Sequence, residues 1–152
     1  MPRLTRSGIT VEVPDDWEGS ISGGDFQLQS DGAIEPTVMH VASFPLPPGR
    51  GSFGTGAVEL MSSTDVFMTL FEYGPESAGT PLFEAEGIPR QIAAREFDRN
   101  ALQRAMPGQT GLQRFFTHQG RAFCLYIVLG SHIDRADILP RVNAVLETLE
   151  IG

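Results

Sequence analysis

The sequence predicts an α+β domain in which a mostly antiparallel sheet carries an amphipathic C-terminal helix across one face. Three observations predict it. Residues 66–73 and 123–129 are apolar on both alternating faces, as strands are when layers cover both sides of a sheet. Gln119-Gly120 separates two strand-like runs by a two-residue turn, with Gly where φ can turn positive. Ile138, Leu139, Val142, Val145, Leu146 and Leu149 recur at helical spacing, so one stripe of that segment must be buried.

The elements follow in order. Ile9-Thr10-Val11-Glu12-Val13 alternates apolar with polar residues, the pattern of a half-buried strand, and Pro14-Asp15-Asp16-Trp17 ends it with turn chemistry. Trp17 is expected to close one end of the core. Residues 19–36 are rich in Gly, Ser and Asp and read as irregular, with a short edge strand at Asp25-Phe26-Gln27-Leu28. A better strand spans 37–44. Pro45-Leu46-Pro47-Pro48-Gly49-Arg50-Gly51 then breaks it and reads as a mobile loop. Ala57, Leu60 and Met61 fit one face of a two-turn helix over 54–62. After the strand 66–73 the chain is irregular to about residue 94. A strand is expected at 94–98, and 100–106 either extends it or forms a helical turn. Strands 112–118 and 121–129 make the hairpin. With 37–44 and 66–73 they are expected to be the central strands. The helix runs over 137–147, capped by Asp134 or Asp137; Pro140 fits best in a first turn, which favours Asp137.

Composition bounds the function. The 152 residues suit one domain, with enough chain for a core that needs neither metal nor disulfide. A single cysteine, Cys124, excludes an internal disulfide, no apolar run is long enough to span a bilayer, and the N-terminus lacks a signal-peptide core. Read as a native start, it implies a cytoplasmic protein. All eleven basic residues are arginine, and the net charge of -8 argues against nucleic-acid binding. The charge is uneven. Residues 1–89 hold three Arg against thirteen acids, whereas residues 90–121 hold six Arg against two. Either the two regions pair within the fold as ordinary surface contacts, or the Arg-rich part forms an electropositive face that steers an acidic partner.

Chemistry-bearing residues point weakly to catalysis. His40, His118 and His132 have no close metal-ligand spacing, so no metal or other cofactor is expected. Cys124 lies in an apolar strand, and His118 faces Arg121 across the hairpin instead of Cys124. Glu72, Glu76, Glu84 and Glu86 read as a solvated acidic loop without calcium-loop spacing. Gly49, Gly51, Gly54 and Gly56 precede a helix as phosphate loops do, but no Lys follows, so flexibility is the expected role.

Gly8-Ile9-Thr10-Val11-Glu12-Val13-Pro14-Asp15-Asp16-Trp17, a late hairpin, and a closing helix that ends in Leu146-Glu147-Thr148-Leu149-Glu150-Ile151 resemble the PsbP-like fold family. That family includes the photosystem extrinsic protein PsbP and a Ran-binding nuclear-import factor. The resemblance implies an α/β/α sandwich, with helices covering an antiparallel sheet, and a non-catalytic accessory or partner-binding role. Recognition is then expected from the loop 45–51, including Pro47 and Pro48, and from the surface around Arg99, Arg104, Arg114 and Arg121. The expected partner is an acidic protein surface or a second copy of the chain, with no nucleic acid and no membrane. The alternative is a small-molecule-binding domain or hydrolase with a pocket between sheet and loops.

Overall fold

Apolar alternation decides where each strand lies. In the computed structural model, which describes residues 2–23 and 36–152, the two densest apolar runs become neighbouring interior strands. The strands are β1 (Arg3–Arg6), β2 (Ile9–Glu12), β3 (Glu18–Ser22), β4 (Val38–Ala42), β5 (Val66–Glu72), β6 (Thr110–His118), β7 (Arg121–Leu129) and β8 (Glu150–Ile151), and helix α1 (Arg135–Thr148) precedes the last. A five-stranded sheet has the order β3-β4-β5-β7-β6, and a three-stranded sheet the order β1-β2-β8. Every pairing is antiparallel. Val66, Met68 and Leu70 of β5 join Phe123, Leu125, Ile127 and Leu129 of β7 in one core; Phe67, Cys124, Tyr126 and Val128 join the other.

The helix-covered sandwich is not what forms. One face of the large sheet carries α1, through Ile138, Leu139, Val142, Val145 and Leu146, together with Ile9, Val11 and Ile151 of the small sheet. The opposite face is covered by loops and single 3-10 turns, whose Phe44, Phe53, Ala57, Val58, Met61, Leu102 and Met106 pack against it. Among the described residues the fold is β-rich: eight strands in two antiparallel sheets, one α-helix and a few 3-10 turns. The cause lies in the connecting segments. Gly54 and Gly56 take φ of 94° and 91°, which no helix accepts, so the helix expected over 54–62 shrinks to a turn at Val58–Leu60. Pro75, Pro81, Pro89 and Pro107 punctuate the next long segment. The strand expected at 94–98 is replaced there by the turns Ala94–Glu96 and Arg99–Ala101.

Other boundaries move for local reasons. β6 starts two residues before the expected 112 and lies at the sheet edge, not its centre. That edge is protected by bridges from Asp98 to Gly111 and from Glu86 to Thr117, which occupy backbone groups a second chain would otherwise pair with. β3 at the opposite edge falls in a stretch read as irregular, and the strand expected at 25–28 lies outside the described residues. The hairpin forms as expected. Gln119 and Gly120 take φ of 50° and 76°, the paired positive values of a type I′ turn. Helix α1 begins at Arg135, with Asp134 and not Asp137 at its cap, because the amides of Asp137 and Ile138 both donate to the Asp134 carbonyl. Pro140 therefore sits inside the helix, where it offers no amide to the Ala136 carbonyl.

Irregular backbone needs side-chain donors in place of ladder bonds. Arg90 donates to the carbonyls of Leu146 and, at 2.7 Å, Leu149, closing the C-terminal end of α1. Arg135 donates to the carbonyls of Ala94 at 3.0 Å and His132 at 2.7 Å, and Asn143 makes two 3.0 Å bonds with the Ile92 backbone. Arginine is suited to this stitching because its fork reaches several acceptors from one rigid plane. Trp17 packs half-buried against the α1-side core, with the Arg141 guanidinium 5.8 Å from its ring.

Candidate functional site

The Arg-rich surface is largely occupied within the chain. Arg121 donates through Nε and Nη2 to both carboxylate oxygens of Glu72, at 2.8 Å each. It also reaches the carbonyls of Ser7 at 2.8 Å and Gly152 at 2.9 Å, tying the small sheet to the large one. Arg114 pairs with Glu96, and Arg104 with Glu59 at 3.0 Å. Arg99 is exposed in its 3-10 turn. The set does not share one face. Arg114 and Arg121 lie on the α1 side, in strand phase with Phe116 and Phe123, while Arg104 is held by a turn that covers the other side.

The residues weighed for covalent chemistry are not brought together. Cys124 is 1% exposed and lies opposite Phe71 and Phe115 in its neighbouring strands. Burial pushes its thiol up to about 12, far from a reactive thiolate at neutral pH. His118 pairs with Arg121 and faces the opposite side of the sheet from Cys124. Glu72 serves Arg121, and Glu86 belongs to the bridge that covers β6. Among the described residues, no group of three or more His, Cys, Asp or Glu is placed to hold a metal ion. Large exposed apolar side chains, Leu60, Leu82 and Ile133, lie on three separate segments.

The proline-rich loop is where unusual chemistry gathers. Its tip, Pro47-Pro48-Gly49-Arg50, places Pro second and Gly third with φ of 74°, which fits a type II turn. Arg50 then folds back beneath the loop. Its Nε–H donates to His40 Nδ1 at 2.8 Å, Nη1 to the Pro47 carbonyl at 2.9 Å and Nη2 to Ser20 Oγ at 2.8 Å. At the other end, the Leu46 amide donates to Glu18 Oε1 at 2.9 Å. Glu18 and Ser20 are alternate residues of β3, so one side of the edge strand grips both ends of the loop.

Two buried polar residues complete the anchor. His40 of β4 and Thr69 of β5 are cross-strand partners, 6% and 0% exposed. Both donate to the Ser52 carbonyl, His40 through Nε2 at 2.8 Å and Thr69 through its hydroxyl at 2.9 Å. Because Nδ1 accepts from Arg50, the imidazole proton resides on Nε2 and the ring is neutral. Burial holds the His40 pKa below the usual value and the Arg50 charge lowers it further, against the opposing bond to Ser52. Burial also lowers the Arg50 pKa, with the Glu18 charge opposing. Beside this cluster opens a recess of about 330 Å³, lined by Ser22, Pro36, Val38, His40, Gly49, Arg50 and Ser52.

Pro47 and Pro48 were singled out by composition; Arg50 was not. A signal for it existed. Arg50 is the sole arginine between Arg6 and Arg90, in a strongly acidic half, and it follows a Pro-Pro-Gly turn.

Among the described residues no helix is long and apolar enough to cross a membrane. The chain matches no protein-family model, no curated protein and no solved structure. No relative therefore places it in the PsbP-like family or in any other.

Proposed function

We propose that this chain is a non-enzymatic partner-binding module whose recognition element is the loop 45–51. One observation carries the reading: Pro45, Pro48 and Gly49 are exposed, yet the loop that bears them is clamped at both ends by Glu18 and Arg50. A loop already held in one conformation is not ordered afresh on binding, so more of its contact energy appears as affinity. Proline adds to this by limiting the free loop's alternatives. Solvent-facing loops on a rigid sheet are common places for recognition. The PsbP-like resemblance implies the same class of role. Arg104, Arg114 and Arg121 contribute less to this reading, since each already has a carboxylate partner.

The test compares binding by the intact chain and by the double variant Pro47→Ala/Pro48→Ala, with Arg104→Gln as a surface control. Quantitative affinity capture from the native cell extract and sedimentation of the purified chain read foreign and self partners together. The loop variant should lose at least one partner, or a self-associated state, by tenfold or more, while Arg104→Gln keeps it. Arg104→Gln should leave stability within about 0.5 kcal/mol, and the two proline replacements together should cost roughly 1–2 kcal/mol through the unfolded chain. Identical partners and identical oligomeric state in all three proteins would refute the reading.

A further inference from the structure

We propose that the recess beside Arg50 is a carboxylate-binding site, which takes a carboxylate group from a small dicarboxylate or from an acidic peptide side chain. This inference does not depend on the loop serving as a docking element, since the recess and the exposed prolines are separate features of the same clamp.

Charge pairing supplies the first reason. Arg104, Arg114 and Arg121 each hold a carboxylate, but Arg50 forms no ion pair among the described residues. Its three acceptors, an imidazole nitrogen, a peptide carbonyl and a serine hydroxyl, are all neutral. Glu18 lies near enough for its charge to be felt, but its Oε1 is engaged by the Leu46 amide. A half-buried guanidinium that makes no direct ion pair gains from a bound carboxylate that supplies one.

Geometry supplies the second. Arg50 uses one N–H at each of its three nitrogens, and a guanidinium carries five, so among the described residues two donors remain on a residue that lines the recess. Three bonds pin its plane, so a carboxylate meets a fork already held in place. Ser22 and Ser52 line the same recess and bring hydroxyls for further lone pairs. A volume of about 330 Å³ lies at the small end of the ligand-pocket range of roughly 300–1,000 Å³. The charge available decides the ligand class. Among the described lining residues Arg50 brings the one positive charge, His40 is neutral and the Glu18 carboxylate is nearby, so the recess suits a monoanionic carboxylate better than a phosphate dianion.

The test titrates the ¹⁵N-labelled full chain with succinate, with a tetraglutamate peptide, and with dimethyl succinate and inorganic phosphate as comparators. The Arg50 Nε–H resonance and the amides of residues 49–52 report binding. Succinate or the peptide should shift them saturably, whereas dimethyl succinate should not. A response to succinate identifies a free small ligand; a response to the peptide alone identifies a partner's side chain. Arg50→Gln should weaken binding at least tenfold, and Arg104→Gln less than twofold. Ser22→Ala leaves the Arg50 clamp intact and should weaken binding roughly threefold, the loss of one ordinary hydrogen bond. The proposal is overturned if neither carboxylate probe gives a saturable shift. It is equally overturned if Arg50→Gln binds as tightly as wild type, or if phosphate binds as tightly as succinate.

Discussion

Arg121 and Arg50 occupy opposite kinds of environment and show what separates a structural arginine from a candidate site. Arg121 is closed on every side: both oxygens of Glu72, the carbonyls of Ser7 and Gly152, and the Phe123 ring 5.3 Å away. Among the described residues Arg50 makes three bonds, all to neutral acceptors, beside the recess. Both hold distant segments together. Among the described residues Arg121 has one N–H left and a paired charge, whereas Arg50 has two N–H groups left and no ion pair, so Arg50 has more to offer a ligand. Arg135 also donates only to neutral carbonyls, so it is the recess beside Arg50, together with its neutral partners, that marks the site.

The largest effect should come from breaking the closed arginine. Arg121→Ala leaves the Glu72 carboxylate, 21% exposed, without its partner and frees two backbone carbonyls at the seam between the sheets. A loss of about 2–3 kcal/mol is expected, below the full cost of a deeply buried pair because both groups retain some water. Urea unfolding would measure it. A loss under about 0.5 kcal/mol would mean that the seam is held by packing alone and that the contrast with Arg50 is false.

A smaller and pH-dependent effect belongs to His40. Its folded pKa lies below the unfolded value of about 6.5, so the unfolded chain binds the extra proton more readily. The contribution of the neutral ring to stability is therefore present above pH of about 6.5 and is lost as pH falls from there toward the folded pKa. Protonating Nδ1 would also set a second donor against the Arg50 Nε–H and loosen the clamp. His40→Gln retains a side-chain N–H for Ser52 but does not titrate. Its unfolding free energy should fall less steeply than wild type between pH 6.5 and 5, whereas equal slopes would remove His40 from the clamp's energetics.

The elements most readable from sequence were those whose own residues dictate their surroundings. β5 and β7 are apolar on both faces and are interior; Gln119-Gly120 makes the hairpin; the stripe from Ile138 to Leu146 becomes the buried side of α1. What failed depends on residues far apart in sequence. The second covering layer is assembled from Phe53, Leu102, Met106 and their neighbours, which share no period; the spacing of Ala57, Leu60 and Met61 and the PsbP-like resemblance pointed to helix where loops suffice. β3 is Glu-Gly-Ser-Ile-Ser, too polar to announce a strand, and its pairing with β4 is what makes it one. The arginines read as one surface because sequence shows their charge but not the carboxylates that fold beside them. The same blindness hid Arg50, which makes no ion pair among the described residues.

If Arg50 holds the proline-rich loop in a single arrangement, backbone ¹⁵N relaxation will distinguish wild type from Arg50→Gln. Wild type should give order parameters near the rigid-backbone value of about 0.85 at Leu46 and across 49–52, and Arg50→Gln should fall below about 0.6 there while α1 and β7 stay unchanged. Values below about 0.6 in the wild-type loop, or no difference between the two proteins, would mean that Arg50 does not hold the loop.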